Sequence, residues 1–258
     1  MSRSSPRTIQ HHNKRRAPLA FIAVVLIGSV PFGLIGWQWR QAALNNDLIG
    51  AIKCGDGIAV LRDLRSGADP NAEDNEDPPL SYWQLQREEL IDRPREREPR
   101  PRAILVAAGL TPNDSPFVVD VLLNYGANPN ASCDGLSPLC AAQTNAHYGA
   151  MHALLDHGAD PNSTYLWDMT PMILASDNAS ATGLLLKYHA KVDAGDLGRR
   201  TALMYAVGWG NAVVVSQLVR AHADVNLIDK GGDTALTLAR AAKRVDMIAL
   251  LRKAGAKR

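Results

Sequence analysis

Histidine and cysteine are the side chains of this chain best suited to bind a metal or act as a nucleophile. The sequence contains seven histidines and three cysteines, but no HExxH pattern and no cysteine pair with zinc-site spacing. The phosphate-binding and hydrolase patterns GxGxxG, GxxxxGK and GxSxG are also absent. His147, His152 and His157 fall near predicted helix ends, where solvated or capping roles are expected. The sequence therefore predicts no catalytic, cofactor-binding or metal-binding residue.

The cysteines leave one question of covalent chemistry open. Cys133 and Cys140 could form a disulfide bond in an oxidising compartment, and Cys54 would then remain as the odd thiol. The alternative is that both are buried thiols, since Cys140 lies in the small, apolar phrase SPLCAA.

The N-terminal region resembles a membrane anchor. Residues 19–39 contain no charged side chain, and a helix of that length spans roughly 30 Å, the thickness of a hydrocarbon core. Residues 1–18 contain five basic residues and no acidic one, which predicts a basic cytoplasmic tail by the positive-inside rule. A cleaved signal peptide is the alternative, although its apolar region is normally shorter. We therefore expect a single-pass protein in contact with the lipid bilayer through 19–39, with the remainder extracytoplasmic, or periplasmic in a bacterium.

The remaining sequence repeats a short phrase, GADPN, with small variations. It occurs at 67–71, 126–130 and 158–162, and related phrases follow at 189–193, 222–226 and 255–258. Four of the five intervals are 31 to 33 residues long, whereas the first is 59. Such a period is typical of a repeat array. Each phrase follows an apolar stretch with helical spacing, so its glycine, or His189 or His222 in its place, is expected to end a helix.

A second phrase precedes the first at a constant offset. It reads SPLCAA, TPMILA, TALMYA and TALTLA, starting at residues 137, 170, 201 and 234. Serine or threonine caps a helix whose first turn tolerates proline, and small alanines allow close helix approach. These two phrases make residues 44–258 similar to the ankyrin repeat family, with its TPLHxAA and GADVN motifs. The resemblance implies an all-α solenoid of about six helix pairs with protruding loops, preceded here by the transmembrane helix.

The chain departs from the family motifs in two places. Cys140, Ile173, Met204 and Thr237 stand where the family has histidine, so we expect a weaker hydrogen-bond network. A charged, proline-rich insertion occupies about 73–102. The first helix of the second unit is placed at 102–109, although a register starting at 79–80 remains possible.

The resemblance also implies where a partner binds, because ankyrin arrays bind through their protruding loops. Two loops carry large apolar side chains, which are costly to expose. The predicted partner-binding residues are Tyr165, Leu166, Trp167, Asp168, Leu227, Ile228, Asp229 and Lys230. Alternatively, one or two of the residues in 165–167 fold back onto a neighbouring unit.

The function predicted from these patterns is protein binding rather than catalysis. After residue 18 the chain is slightly acidic, which argues against a nucleic-acid partner. We expect an anchored extracytoplasmic scaffold, or an inhibitor, of a partner protein. The alternative is an enzyme whose site lies on the insertion or between repeats.

Overall fold

The computed structural model describes residues 32–74 and 101–257. The chain divides into two units at Arg40 and Gln41, and the second unit, Gln41–Arg258, contains the array. The described part of this array consists of six antiparallel helix pairs, so the predicted helix-pair solenoid is confirmed. The pairs are α1 (Phe32–Cys54) with α2 (Gly57–Arg65), α3 (Ala103–Leu105, continued by a π-helical turn Val106–Leu110) with α4 (Pro116–Asn124), α5 (Pro138–Thr144) with α6 (Tyr148–Asp156), α7 (Pro171–Leu174) with α8 (Ala179–Lys187), α9 (Ala202–Trp209) with α10 (Ala212–Arg220), and α11 (Ala235–Ala241) with α12 (Val245–Lys253).

The first helix of each of the last four pairs begins at a capping hydroxyl. The side chains of Ser137, Thr170, Thr201 and Thr234 each accept a hydrogen bond from the backbone N–H three residues later. Proline follows the cap in α5 and α7, where a missing N–H costs nothing. The TPLH-like phrase therefore starts these helices as the sequence predicted.

The second helix of each pair is followed by a residue in the left-handed conformation. Glycine occupies this position in four units, and His189 and His222, with φ of 59° and 63°, occupy it in the other two. Histidine tolerates the left-handed region better than most side chains, so the predicted substitution is confirmed.

Neighbouring pairs stack in register, and in most of them first helix contacts first helix and second helix contacts second helix. One continuous apolar core runs from Leu48 to Leu251 through all six units. A smaller apolar cluster of Leu105, Cys133, Leu136, Cys140 and Ala141 lies under the loops of the second to fourth units. Each unit is too thin to bury its apolar faces alone, so the neighbours supply the missing cover.

Stacking in register creates two edges. The tip edge consists of the turns that precede the first helices, namely tip 3 (133–136), tip 4 (165–169), tip 5 (195–201) and tip 6 (229–233). The far edge consists of the short loops within each pair and the helix residues that flank each loop on either side. These loops are 55–56, 111–115, 145–147, 175–178, 210–211 and 242–244.

The second unit contains the least regular helix. Its first helix starts at Ala103, which corresponds to the first of the two registers considered from the sequence. The chain then widens into the π turn, where Gly109 lies directly against Ala141 of the next unit. A Cβ on Gly109 would lie 2.7 Å from the Ala141 carbonyl oxygen, so only glycine fits there.

Several predicted segments lie outside the described residues. These are the basic tail 1–18, residues 19–31 of the predicted membrane segment and most of the insertion. Within 32–74 and 101–257, no helix is long and apolar enough to cross a membrane.

Candidate functional site

Tip 4 exposes a tryptophan whose backbone is in the left-handed conformation. The turn is closed by the Tyr165 N–H, which donates to the Met169 carbonyl oxygen at 2.9 Å. Inside it, Trp167 and Asp168 have φ of 58° and 60°, a region that bulky side chains seldom occupy. The Trp167 side chain is 57% exposed. Strained conformations of this kind concentrate at functional sites, and here the strain directs an indole into solvent.

The other apolar residues of tip 4 are turned partly inward. Tyr165 is half-buried and packs on the small cluster that contains Cys133 and Cys140. Leu166 is also half-buried. Tyr165 therefore folds back onto the neighbouring unit, which was the alternative considered from the sequence, while Trp167 and Asp168 remain exposed.

The predicted binding residues at and just before tip 6 also differ in exposure. Ile228 and Lys230 are exposed, whereas Leu227 packs against the main core. Asp229 is buried, and its carboxylate accepts hydrogen bonds from the Asp233 N–H at 2.9 Å and from Arg200 Nε at 3.0 Å. The Asp233 N–H, followed by the Arg200 guanidinium, holds the pKa of Asp229 below its usual range. The prediction for Asp229 needs correction, because its carboxylate fixes the turn instead of facing a partner.

Tip 5, which the sequence reasoning missed, joins the other two. Its Leu197 side chain is 52% exposed, and the Leu197 N–H donates to the Trp167 carbonyl oxygen at 2.9 Å. The Lys230 N–H donates to the Gly198 carbonyl oxygen at 2.8 Å. Backbone hydrogen bonds thus connect tips 4, 5 and 6 and place Trp167, Leu197 and Ile228 in consecutive units along one edge.

A sequence signal for tip 5 was present. DLGRRT at 196–201 and DKGGDT at 229–234 share an aspartate, a glycine two residues later and a capping threonine. In both turns the aspartate accepts the N–H of the residue four positions later, at 2.8 Å for Asp196 and 2.9 Å for Asp229. Comparing the loops with each other, rather than with the family motif, would have found Leu197.

The tip edge combines apolar and cationic chemistry. Arg199 and Lys230 are exposed beside Leu197 and Ile228, while the Arg200 guanidinium is engaged by the buried Asp229. Tyr205 supports the edge from below by donating its hydroxyl to Asp196 Oδ2 at 2.8 Å. Burial first, and then this bond to Asp196, raises the pKa of Tyr205. The edge is suited to a partner that offers an apolar surface with some negative charge.

Comparison with known proteins agrees with this architecture. The family model for ankyrin repeats in three copies matches residues 104–196 and 171–257.

The chain belongs to the ankyrin repeat family.

Curated relatives match part of this chain. A putative ankyrin repeat protein of fowlpox virus, FPV115, is 33% identical over 122 residues, covering 46% of this chain and 21% of the relative. The palmitoyltransferase ZDHHC17 of Danio rerio is 39% identical over 90 residues, covering 33% of this chain and 14% of the relative. The neurogenic locus notch homolog protein 1 of Xenopus tropicalis is 32% identical over 144 residues, covering 54% of this chain and 6% of the relative. The chain thus spans at most about a fifth of these proteins.

A solved structure shows the same fold. The ankyrin repeat domain from Acinetobacter baumannii AYE superposes with a TM-score of 0.67 at 24% identity. The match covers 81% of this chain and 98% of that domain. Ankyrin repeats typically mediate protein–protein interactions and are generally not catalytic, so the family supports a protein partner.

Two of the four residues at the ankyrin histidine position, Cys140 and Thr237, have a group that can form hydrogen bonds. In the third unit, Cys140 Sγ lies 3.8 Å from Ser163 Oγ of the following turn, a weak contact. In the sixth unit the Thr237 hydroxyl donates and accepts within its own turn, in a reciprocal capping box with Thr234. The expectation of a weakened network therefore fails at Thr237, because a short hydroxyl satisfies the same turn locally.

The remaining candidate chemistry is structural. All three cysteines are thiols in the structure, and burial raises the pKa of Cys133 to about 11 and also raises that of Cys140. No cluster of metal-binding side chains occurs in the part of the chain that the structure describes. The solvated role expected of His147 is wrong, since its buried ring contacts the Ala108 carbonyl oxygen at 3.0 Å. His147 does occupy the N-cap position of α6, although its side chain forms no capping hydrogen bond there.

Proposed function

We propose that this protein is a membrane-anchored ankyrin scaffold or inhibitor that binds a partner protein outside the cytoplasm through its tip edge. Trp167, Leu197 and Ile228 form the apolar part of the binding surface, with Arg199 and Lys230 beside them. Residues 19–39 hold the array at the membrane.

The conformation of Trp167 carries this proposal. An exposed indole is costly in water, and tryptophan is among the residues most enriched at binding hot spots. The left-handed backbone at Trp167 and the hydrogen bond from Leu197 N–H to its carbonyl oxygen hold the side chain in a fixed outward position. A preorganised aromatic loses little conformational entropy when it is covered by a partner.

The chain offers a matched control for this residue. Trp209 is 66% exposed, but it ends α9 on the far edge, away from the tips. The partner is first captured by crosslinking in intact cells, and its affinity for the full-length chain is then measured with Trp167→Ala and Trp209→Ala variants.

The proposal expects Trp167→Ala to weaken partner affinity by about 30-fold, or about 2 kcal/mol. Trp209→Ala should leave that affinity unchanged, and both variants should keep the wild-type thermal midpoint. If Trp167→Ala instead lowers the thermal midpoint without changing partner affinity, the indole belongs to the scaffold and the proposed site is wrong.

The location is tested separately. The charge difference between residues 1–18 and the chain that follows supports a cytoplasmic N-terminus. An enzyme reporter that is active only outside the cytoplasm should be active when fused after Arg258. A silent reporter, with a cytoplasmic one active at the same position, would reverse the proposed orientation.

A further inference from the structure

The far edge of the array also carries large exposed apolar side chains, and among the described residues they lie at its two ends. In the first two units these are Ile58, which is 81% exposed, and Phe117. In the last two units they are Trp209, Val213 and Val245. We define the first pair as the N-terminal patch and the other three as the C-terminal patch.

The far edge is one contiguous surface, because each loop contacts the next. Phe117 covers Gly57, and Asp114 Oδ2 accepts the Gly149 N–H at 2.7 Å. Asn178 Nδ2 donates to the Tyr148 hydroxyl, and Asn211 Nδ2 donates to the Asp177 carbonyl oxygen, both at 2.7 Å. The Arg244 guanidinium lies over Gly210. These contacts fix the two patches relative to each other.

The two patches carry opposite charge. Asp56 and Asp114 lie exposed beside the N-terminal patch, and the exposed Arg62 of the same helix is paired with Asp63 at 3.0 Å. Arg240, Lys243 and Arg244 lie at the C-terminal patch, with Asp246 as its one acidic neighbour among the described residues of that loop. The same edge thus ends in an acidic apolar patch and a basic apolar patch.

The exposed side chains in the middle of this edge are small, and the Tyr148 side chain there is half-buried. The positions that correspond to Phe117 and Val213 are Gly149 and Ser180 in the third and fourth units. Small side chains allow two backbones to approach closely, whereas the larger side chains at both ends provide apolar contact area.

We propose that the far edge binds a second copy of this chain. In a two-fold arrangement the edges run antiparallel, so the acidic patch of each copy meets the basic patch of its partner, and both contacts form at once. The patches are four units apart, about 35–40 Å at ordinary helix spacing, which leaves the small residues at the two-fold axis. The self-complementary charge pattern favours another copy over an unrelated protein.

The expected dimer is modest in strength. An edge about 55 Å long and 10–15 Å wide offers roughly 500–800 Å² per copy, the lower end of stable interfaces. We therefore expect concentration-dependent dimers that leave both tip edges accessible.

Sedimentation equilibrium of the full-length chain in a density-matched detergent buffer tests this proposal. The wild-type chain should change from monomer to dimer with increasing concentration, and Trp209→Ala should raise the dissociation constant by at least about tenfold. Trp167→Ala, on the opposite edge, should leave it unchanged. A wild-type chain that stays monomeric, or dimers that Trp209→Ala leaves intact, would overturn the proposal.

Charge exchange separates pairing from misfolding. Ile58→Lys places a cation opposite the basic patch, and Arg240→Asp places an anion opposite the acidic patch, so each variant alone should dimerise at least about tenfold more weakly. An equimolar mixture should associate about as tightly as wild type, because the two altered patches then face each other and the unaltered patches do likewise. A mixture that associates no better than either variant alone contradicts the antiparallel arrangement.

Discussion

The two edges of the array are joined in different ways, and the difference separates what is repeated from what is particular to this chain. Below the tips, one side chain per turn accepts the N–H of the next unit at 2.7–3.0 Å. These side chains are Asn71, Asn130, Asn162, Asp193 and Asn226. At the far edge, each pair of neighbouring units is joined by a different contact. A contact that recurs in every unit defines the fold, whereas a contact that occurs once can carry specificity.

The largest loss of stability is expected for a substitution at the π turn next to the far edge, where the chain departs from a regular helix. Gly109→Ala should lower the free energy of unfolding by about 2–3 kcal/mol, because the new Cβ meets the Cβ and backbone of Ala141, which cannot move aside easily. Gly208→Ala is the matched control, since an added Cβ there meets nothing within 4 Å. It should be neutral or stabilise the protein by up to about 1 kcal/mol in urea unfolding. Equal losses for both would show that the contact with Ala141 is not tight.

The small cluster below tip 4 should make the stability of the protein depend on pH through the Cys133 thiol. Burial, followed by the charges of Asp134 and Glu73, raises the pKa of Cys133 to about 11. The unfolded thiol ionises near pH 8.5, so the native state retains the proton and stability from this group is lost as pH rises through this interval. The wild-type chain should lose about 2–3 kcal/mol relative to Cys133→Ala between pH 8.5 and 11. Parallel pH profiles for the two proteins would contradict this.

Substitution of Asp114 on the far edge should cost more stability than the exposure of its side chain suggests. Asp114 is exposed, yet its carboxylate accepts the N–H groups of Gly149 and Ala150 at the start of α6. Asp114→Ala should lower the free energy of unfolding by about 1 kcal/mol, as for loss of a helix cap. Asp177→Ala is a suitable control, because only the Asp177 backbone carbonyl bridges to Asn211.

The smallest effect is expected at the one carboxylate in the ladder below the tips. Asn71, Asn130 and Asn226 each donate Nδ2 to the carbonyl oxygen of the glycine in the next unit, at 3.2–3.3 Å. Asp193 has no such donor, so Asp193→Asn should allow an equivalent bond to His222. A gain of about 0.5–1 kcal/mol in urea unfolding is expected. A loss would show that this fourth joint of the ladder differs in geometry from the others.

The sequence predicts the repeated parts of this molecule well. The capping hydroxyls, the left-handed His189 and His222 and the continuous core all follow from phrases that recur at fixed offsets. The particular contacts do not recur, so a period cannot reveal them. The buried carboxylate of Asp229, the inward ring of His147 and the π turn at Gly109 each depend on contacts with an adjacent unit.

The exposure of the side chains at the tip edge was only partly predictable, because it too depends on contacts with an adjacent unit. The aromatic content of 165–167 led to the prediction of an interaction site there, but it did not reveal that Tyr165 packs inward while Trp167 is held outward by its backbone. Leu197 was missed because it stands alone in a polar loop, and that loop was compared with the family motif instead of with the similar turn at 229–234.

One measurement tests most directly whether partner binding belongs to the tip edge. A photoreactive residue is placed at position 167, 197 or 228 on the tip edge, or at 58, 117 or 209 on the far edge, and crosslinked in intact cells. We expect the tip positions to yield the same non-self protein, and the far-edge positions to yield only crosslinks to a second copy of the chain. Capture of the non-self protein from the far edge, with none from 167, 197 or 228, would contradict the central claim.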